Sequence, residues 1–201
     1  MRKQIILLLA LGLNGTIFAQ LPAFCIGPKI GYNTSDLSSD VSTISSDLKS
    51  NFQFGAFARF GDKIYLQPEV NYVIKGGVLK SSDITITGNQ EITLKTLTIP
   101  LLVGVKIINL KVASIHLVGG PAASFAINKE LSITDPDSTW PINSTDDIKN
   151  SSWSLQAGAG IDVLMFTFDI RYEAGLSNMS KVPDFSLKNN LFNVSLGLKL
   201  F

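Results

Sequence analysis

The residues that could do chemistry are few, and the single histidine, His116, is the first to consider. A histidine can act as a general base, activate a nucleophile or bind a metal, and each role needs partners that are close in space. The sequence offers no zinc-ligand cluster and no convincing nucleophile to accompany it. We therefore expect a hydrogen-bonded structural histidine, with no catalytic residues, no metal and no cofactor.

A second candidate is the run Asp169, Arg171 and Glu173, which lie on one face of an extended segment. Paired carboxylates can perform acid–base catalysis. An arginine between them favours mutual neutralisation instead, because an unpaired buried charge is costly. We predict that Arg171 pairs with Asp162, Asp169 or Glu173, and that Lys29 or Lys199 reaches the same cluster. The predicted charge network consists of Lys29, Glu69, Asp162, Asp169, Arg171, Glu173 and Lys199.

A third candidate is an acidic stretch that holds Asp135, Asp137, Asp146 and Asp147 together with Trp140. Clustered carboxylates can bind calcium, which takes about 6–8 oxygen ligands. The spacing matches no calcium-binding loop, so the simpler interpretation is a solvated acidic loop.

Cys25 is the only cysteine, so the chain cannot form an internal disulfide. Lipid-modified cysteines follow small residues, whereas Phe24 precedes this one. We expect a lone buried thiol that behaves as a small hydrophobic side chain.

Strict alternation of apolar and polar residues is the dominant pattern that would position these groups. Between residues 166 and 176, for example, Phe168, Ile170 and Tyr172 share one face, and Asp169 and Arg171 share the other. No helix could bury that pattern. The same alternation predicts eight strands, at residues 24–33, 52–60, 64–75, 97–107, 113–125, 153–163, 166–176 and 192–200.

The connections between these strands alternate in length. Tight turns are expected around Gly61, Asn109 and Met165, and long polar loops are expected at 34–51, 76–90, 128–152 and 177–190. Short turns at one end and long loops at the other are typical of outer-membrane barrels. The predicted fold class is therefore all-β, an eight-stranded antiparallel up-and-down transmembrane β-barrel. Residues 83–95 also alternate, so the flanking strands should continue above the membrane as a hairpin.

The N-terminus has the pattern of a secretory signal peptide. Arg2 and Lys3 precede a short apolar run, and cleavage after Ala19 is plausible. The run is too short for a transmembrane helix, which needs about 20 residues. We expect residues 1–19 to be a signal peptide and residues 20–201 to be the outer-membrane β-barrel domain.

The charge balance argues against nucleic acid as a partner. The chain has 17 basic and 16 acidic residues, and loss of Arg2 and Lys3 leaves 15 basic residues and a net charge of −1. No basic stripe is available to neutralise phosphates.

Alternation alone does not say which face meets lipid. The polar face carries many charges and glycines, which suit a cramped lumen filled by side chains. Aromatic residues lie near the ends of the apolar stripes, as the interfacial girdles of membrane barrels do. These features favour a lipid-facing apolar surface. The alternative is a soluble periplasmic β-barrel that binds an apolar ligand.

Four prolines are unfavourable for the strand assignments. Pro28, Pro68, Pro100 and Pro121 fall within predicted strands, where each removes a ladder hydrogen bond. We expect β-bulges at some of these sites.

Several short motifs are spread along the chain: IGPKIGYN at 26–33, LQPEVNY at 66–72 with KGG at 75–77, LTIPLL at 97–102, GGP at 119–121, GAGI at 158–161, DIRY at 169–172, GLSN at 175–178 and VSLGLK at 194–199. Together they resemble the PorT-like porin family, outer-membrane β-barrel proteins of Bacteroidetes. The resemblance implies that Pro68 and Pro100 are tolerated in such barrels. It also implies a terminal aromatic residue in phase with the lipid face, and Phe201 departs from that phase.

The expected function follows from a plugged lumen. Side chains should fill an eight-stranded barrel, so free diffusion of solutes is not expected. The protein should contact outer-membrane lipid and act through its extracellular loops, with another protein as the candidate partner. Surface interaction, a structural role and a secretion-associated role stay open. A loop-based enzyme would need catalytic residues at the long-loop rim, where no convincing set occurs.

Overall fold

The computed structural model describes residues 23–40, 44–81, 89–110, 112–134 and 140–200. Within these ranges, eight antiparallel strands each pair with the next along the chain, and β8 pairs back with β1 to close a barrel. The predicted fold class is confirmed. The strands are β1 Phe24–Ser39, β2 Ile44–Gly61, β3 Ile64–Ser81, β4 Asn89–Asn109, β5 Ala113–Ile133, β6 Ser151–Val163, β7 Phe166–Gly175 and β8 Leu187–Leu198.

The tight turns lie where the sequence predicts them. Only two or three residues separate β2 from β3, β4 from β5 and β6 from β7. Gly61 closes the first of these turns with φ of +113°, a conformation that side chains with a Cβ rarely adopt. These three turns define one end of the barrel, called here the short-turn end.

The first five strands are longer than predicted, and the described residues of the expected loops at 34–51 and 76–90 are largely strand. The physical reason is an inversion of the pattern above the membrane. There the outer face meets water, so Glu91 points outward and Leu37, Leu79 and Ile92 point inward. The expectation of β-hairpin continuation around 83–95 is correct for the described parts of β3 and β4, whose pairing continues to Lys80 and Asn89.

The expectation of β-bulges at the prolines is wrong for the described strands. Pro28 pairs with Ala56, and Pro68 pairs with Leu101, without a change of register. The shifts of register in the described strands lie elsewhere, at 48/53, 95/96 and 106/108. A proline removes one N–H donor, and the continuous ladders on both sides hold the register across that gap.

The outer wall of the barrel is apolar. Phe168, Ile170 and Tyr172 are 51, 54 and 51% exposed, so these side chains point away from the lumen as predicted. Aromatic pairs mark the two rims, with Phe24 against Phe60 at the short-turn end. Their centroids are 5.1 Å apart. At the opposite rim, Tyr32 packs on Phe52 and Phe54 stacks on Tyr72.

The lumen holds polar and apolar side chains together. Ionic groups fill much of it, and Phe57, Tyr65, Leu102 and Val118 occupy the remaining space. No helix in the described ranges is long and apolar enough to cross a membrane. The predicted signal peptide at 1–19, together with Asp135, Asp137 and Phe201, lies outside the described residues.

Candidate functional site: the ion-paired lumen and its two ends

The centre of the lumen holds two cations and two carboxylates. Glu69 accepts hydrogen bonds from Arg171 Nη1 at 2.8 Å and from Lys29 Nζ at 3.2 and 3.3 Å. Asp169 lies 3.2 Å from Arg171 Nη2 and 3.9 Å from Lys29 Nζ. All four residues are at most 4% exposed. We call these four residues the central cluster. Its charges cancel, which is the arrangement that burial demands.

Two amides complete the hydrogen bonding of Glu69. Gln67 Nε2 donates to it at 2.7 Å, and Asn71 Nδ2 donates at 2.9 Å. The carboxylate is therefore surrounded by donors on both oxygens. A cavity of about 10 Å³ lies beside it, lined by Lys29 and Arg171 among others. That volume suits about one water molecule.

A lower cluster lies towards the short-turn end. Arg59 Nη1 donates to Asp162 Oδ2 at 2.8 Å, and Lys199 Nζ lies 3.5 Å from the same oxygen. Arg59 also stacks over the Tyr65 ring, with its guanidinium carbon 4.3 Å from the centroid. His116 connects the two clusters, because its Nε2 lies 3.0 Å from Asp169 Oδ1 and its Nδ1 lies 3.7 Å from Asp162 Oδ1.

Gly160 makes room for the histidine contact. A Cβ at this position would collide with His116 Nε2 and with Asp169 Oδ1. The small residue on β6 thus allows β5 and β7 to place these two side chains in contact across it.

An upper cluster lies towards the long-loop end. Lys75 Nζ donates to Glu173 Oε1 at 2.5 Å and to Ser124 Oγ at 3.0 Å. Ser154 and Gln156 donate to the same carboxylate at 2.9 and 2.8 Å. One cation and one anion again balance within a buried site.

The structure therefore brings the seven residues of the predicted network into three clusters. Arg171 lies beside Asp169, and Lys29 contacts the carboxylates of Asp169 and Glu69. Lys199 instead contacts Asp162, and Glu173 lies in the upper cluster. Sequence reasoning did not include Arg59, Lys75, Gln67 or His116 in the network. Their inward phase was visible in the alternation, but the cross-strand register that selects their partners was not.

A second hydrophobic core, which we call the cap core, closes the long-loop end. Its members are buried residues from the protruding strands and from the segments 140–150 and 176–186. They are Leu37, Ile44, Leu79, Ile92, Leu94, Trp140, Ile142, Ile148, Met179, Phe185 and Leu187. Trp140 is 1% exposed. The expectation of a solvated acidic loop holds for Asp146, which is exposed, but the apolar residues of the described part pack against the barrel.

Hydrogen bonds hold the two cap segments to each other and to the strands. Lys149 N donates to Met179 O at 2.8 Å, and Lys181 N donates to Asp147 O at 2.7 Å. Gln90 Nε2, on β4, donates to Ile142 O at 2.5 Å. The cap is therefore a folded unit joined to the barrel wall.

The two described acids of this stretch, Asp146 and Asp147, take part in local hydrogen bonds that cap a short helix. Asp147 Oδ2 accepts hydrogen bonds from Ser144 N at 3.0 Å and from Asn143 N at 3.1 Å. Ser144 Oγ accepts from Asp146 N at 3.2 Å, which completes a capping box at a short 3-10 helix, Thr145–Asp147. Among the described residues, no group of three or more His, Cys, Asp or Glu side chains could hold a metal ion.

Charged pairs cover the outer face of the protruding strands. Lys95 Nζ donates to Glu130 at 2.5 Å, and Lys49 pairs with Glu91. The Lys95 hydrogen bond holds the pKa of Glu130 below its ordinary value. This polar surface lies just beyond the aromatic rim, where a membrane barrel would leave the bilayer.

The opposite end of the lumen opens into a mouth. Cys25 lies here and is half-buried, so the expectation of a buried thiol is met only in part. The mouth forms because the lumen-facing side chains end at the short turns, and no packed segment among the described residues covers that end.

A closed barrel with an apolar outer wall, aromatic rims and ionic groups inside is the architecture of an outer-membrane barrel protein. The chain matches the outer membrane protein beta-barrel domain family over residues 18–181, and it belongs to that family. The protein is therefore an outer-membrane protein. None of the curated proteins matches this sequence.

Solved barrels are similar to this chain at low identity. Ail of Yersinia pestis, in complex with the heparin analogue sucrose octasulfate, is 15% identical, with 88% of this chain and 99% of Ail covered, at a TM-score of 0.45. Neisserial surface protein A is 12% identical, with coverage of 87% and 97%, at a TM-score of 0.46. The N-terminal barrel of Pseudomonas aeruginosa OprF is 11% identical, with coverage of 86% and 97%, at a TM-score of 0.30.

Proposed function

We propose that this protein is a closed outer-membrane barrel that acts at the cell surface, through its protruding strands and cap, and does not conduct solutes. One observation carries the proposal: the lumen is filled by three ion-pair clusters, and the cap core covers its outer end. A solute would have to displace buried ion pairs and unfold the cap in order to pass.

The extracellular part has the properties of a contact surface. The first five strands and the start of β8 extend past the aromatic rim, and beyond Ala126 the described pairing of β5 is with β4 only. Leu48 and Ile127 are 69 and 62% exposed on this part of the barrel. Addition of a partner strand to a strand edge, such as the edge of β5 beyond Ala126, is a common mode of protein recognition. Exposed apolar side chains elsewhere on this part of the barrel add contact area. Another protein is therefore the proposed partner.

The finer assignments belong to the same proposal. The N-terminal pattern supports a signal peptide at 1–19 and a barrel domain at 20–201. The quoted motifs support a relation to the PorT-like barrels of Bacteroidetes, and a secretion-associated role is compatible with that relation. We propose no catalytic role, because His116 is fully buried between two carboxylates. The alternative of a soluble periplasmic barrel does not fit an outer-membrane family or a polar lumen.

Solute flux tests the closed lumen. Purified protein in lipid vesicles should give no uptake of small sugars in a swelling assay, whereas an open porin in the same lipid should give rapid uptake. Swelling at the porin's rate would contradict the proposal.

Surface labelling tests where the protein acts. In a Cys25→Ser background, Ser132→Cys should react with a membrane-impermeant maleimide on intact cells. Asp62→Cys, in a short turn, should react only after lysis. Reaction of Asp62→Cys on intact cells, or no reaction of Ser132→Cys, would overturn the orientation.

A further inference from the structure

The mouth at the short-turn end is an open cleft with a volume of about 520 Å³. Phe24, Leu164 and Met165 form an apolar part of its lining. The charged part of the lining holds three cations and one carboxylate, namely Arg59, Lys106, Lys199 and Asp162. The described lining is therefore cationic.

The three clusters of the lumen show where this excess of positive charge arises. The central cluster has two cations and two carboxylates, and the upper cluster has one of each. In the lower cluster, Arg59 and Lys199 share the single carboxylate of Asp162 and approach the same oxygen. Among the described residues, the lower cluster thus lacks one negative charge, and it borders the open mouth.

The donors of the lower cluster are also incompletely used. Arg59 is 3% exposed, and its Nη2 has no hydrogen-bond partner within the described residues. Lys106 lies at the outer edge, where it donates to the exposed carboxylate of Asp62 at 2.8 Å. A buried guanidinium charge that is only partly compensated is costly. Because Arg59 also lines the mouth, an anion bound there would lower that cost through its charge.

We propose that the mouth binds a phosphate-type oxyanion, with Arg59 and Lys199 holding its oxygens and Lys106 contributing at the edge. Two sources share this chemistry: free phosphate and the phosphodiester of a phospholipid whose carbon chain meets the apolar part of the lining. This inference concerns the end of the barrel opposite the cap, so it is independent of the proposed surface function.

Cys25 reports on the site, because it lines the same cavity and is the only cysteine of the chain. The experiment compares its reaction rates with an anionic and a cationic methanethiosulfonate, in zwitterionic detergent micelles. In each reaction the thiolate forms a mixed disulfide and releases methanesulfinate. Each rate is divided by the rate for a small free thiol. We expect the anionic reagent to be favoured about tenfold, because a cationic cleft concentrates anions.

Variants test whether the preference of Cys25 for the anionic reagent depends on Lys199 and Lys106. Lys199→Gln should reduce the ratio to about twofold, and Lys188→Gln at the far end of the barrel should leave it unchanged. Lys106→Gln provides a second variant if Lys199→Gln fails to fold, as judged by heat-modifiable gel mobility. In a Cys25→Ser background, Ser132→Cys, whose register partner is Glu91, should show no preference for the anionic reagent.

Two additions distinguish the sources of the oxyanion. Millimolar inorganic phosphate that slows the anionic reagent at Cys25, but not at Ser132→Cys, would indicate free phosphate. Protection of Cys25 by phosphatidylglycerol in mixed micelles, without an effect of inorganic phosphate, would indicate a phospholipid. A ratio near one, a preference for the cationic reagent, or a ratio that Lys199→Gln and Lys106→Gln leave unchanged would overturn the proposal.

Discussion

Replacing Glu69 by glutamine tests whether the central cluster is desolvated. The substitution keeps the shape of the side chain and removes its charge, which leaves Lys29 and Arg171 with Asp169 as the remaining carboxylate. It also places an amide NH2 where one carboxylate oxygen now accepts two hydrogen bonds, from donors such as Lys29 and Asn71. Both oxygens of Glu69 accept hydrogen bonds, so in either orientation the new NH2 group would face side-chain donors.

The expected cost follows from burial. The Glu69 side chain is 0% exposed and accepts from four different side chains. Breaking a buried ion pair by removing one partner costs about 3–5 kcal/mol, mostly because the other charge is left uncompensated. We expect the free energy of unfolding of Glu69→Gln to fall by about that amount, as measured by urea titration in lipid with heat-modifiable mobility as the readout.

Two further variants make the test specific. Adding Lys29→Gln to Glu69→Gln restores one cation to one carboxylate, so part of the lost stability should return. Glu91→Gln removes one partner of the solvated Lys49 pair and should cost less than about 1 kcal/mol. A loss below about 1 kcal/mol for Glu69→Gln, or no recovery in the double variant, would mean that the lumen is hydrated and the argument is wrong.

The remaining predictions concern the cap and the outer wall. Trp140→Ala should cost the cap core about 3–5 kcal/mol, so proteolysis within 140–150 should appear while the barrel keeps its heat-modifiable mobility; Trp153→Ala, on the lipid face, should leave the cap resistant. Leu101→Arg should lower the unfolding free energy in lipid by about 2–4 kcal/mol, because Leu101 lies near the middle of the apolar face of β4. Ile107→Arg, at the short-turn end of the same strand, should cost at most about 1 kcal/mol. Equal costs at both positions would contradict the assigned depth of β4.

The sequence predicts the barrel wall well, because period-two alternation depends only on local residue order. Phe168, Ile170 and Tyr172 point outward as predicted, and the tight turns follow from the short gaps between alternating segments. The continuation of β3 and β4 was predicted, but the protruding parts of β1, β2 and β5 were missed for a related reason. Above the membrane the apolar residues turn inward and the polar residues outward, so the continuing alternation resembles a polar loop.

The partners within the lumen could not be predicted in the same way. Arg59 and Asp162 are 103 positions apart, and Arg171 and Glu69 are 102 apart, so their pairing depends on the stagger of the whole barrel. The cap was missed because its core residues, such as Trp140 and Met179, occur singly in polar segments without a period. Only the folded strands show that these side chains share one core.

Quenching of tryptophan fluorescence by brominated lipid tests most directly whether the apolar wall faces lipid. The two native tryptophans suit this test, because one should contact lipid and the other should not. Trp153 is 59% exposed on the outer wall, and Trp140 is buried in the cap core. In single-tryptophan variants made with Trp140→Phe or Trp153→Phe, we predict strong quenching of Trp153 and almost none of Trp140. Phe168→Trp, in a chain lacking both native tryptophans, should be quenched strongly by bromines placed deep in the acyl chains. An unquenched tryptophan at position 168 would contradict an apolar wall that faces lipid.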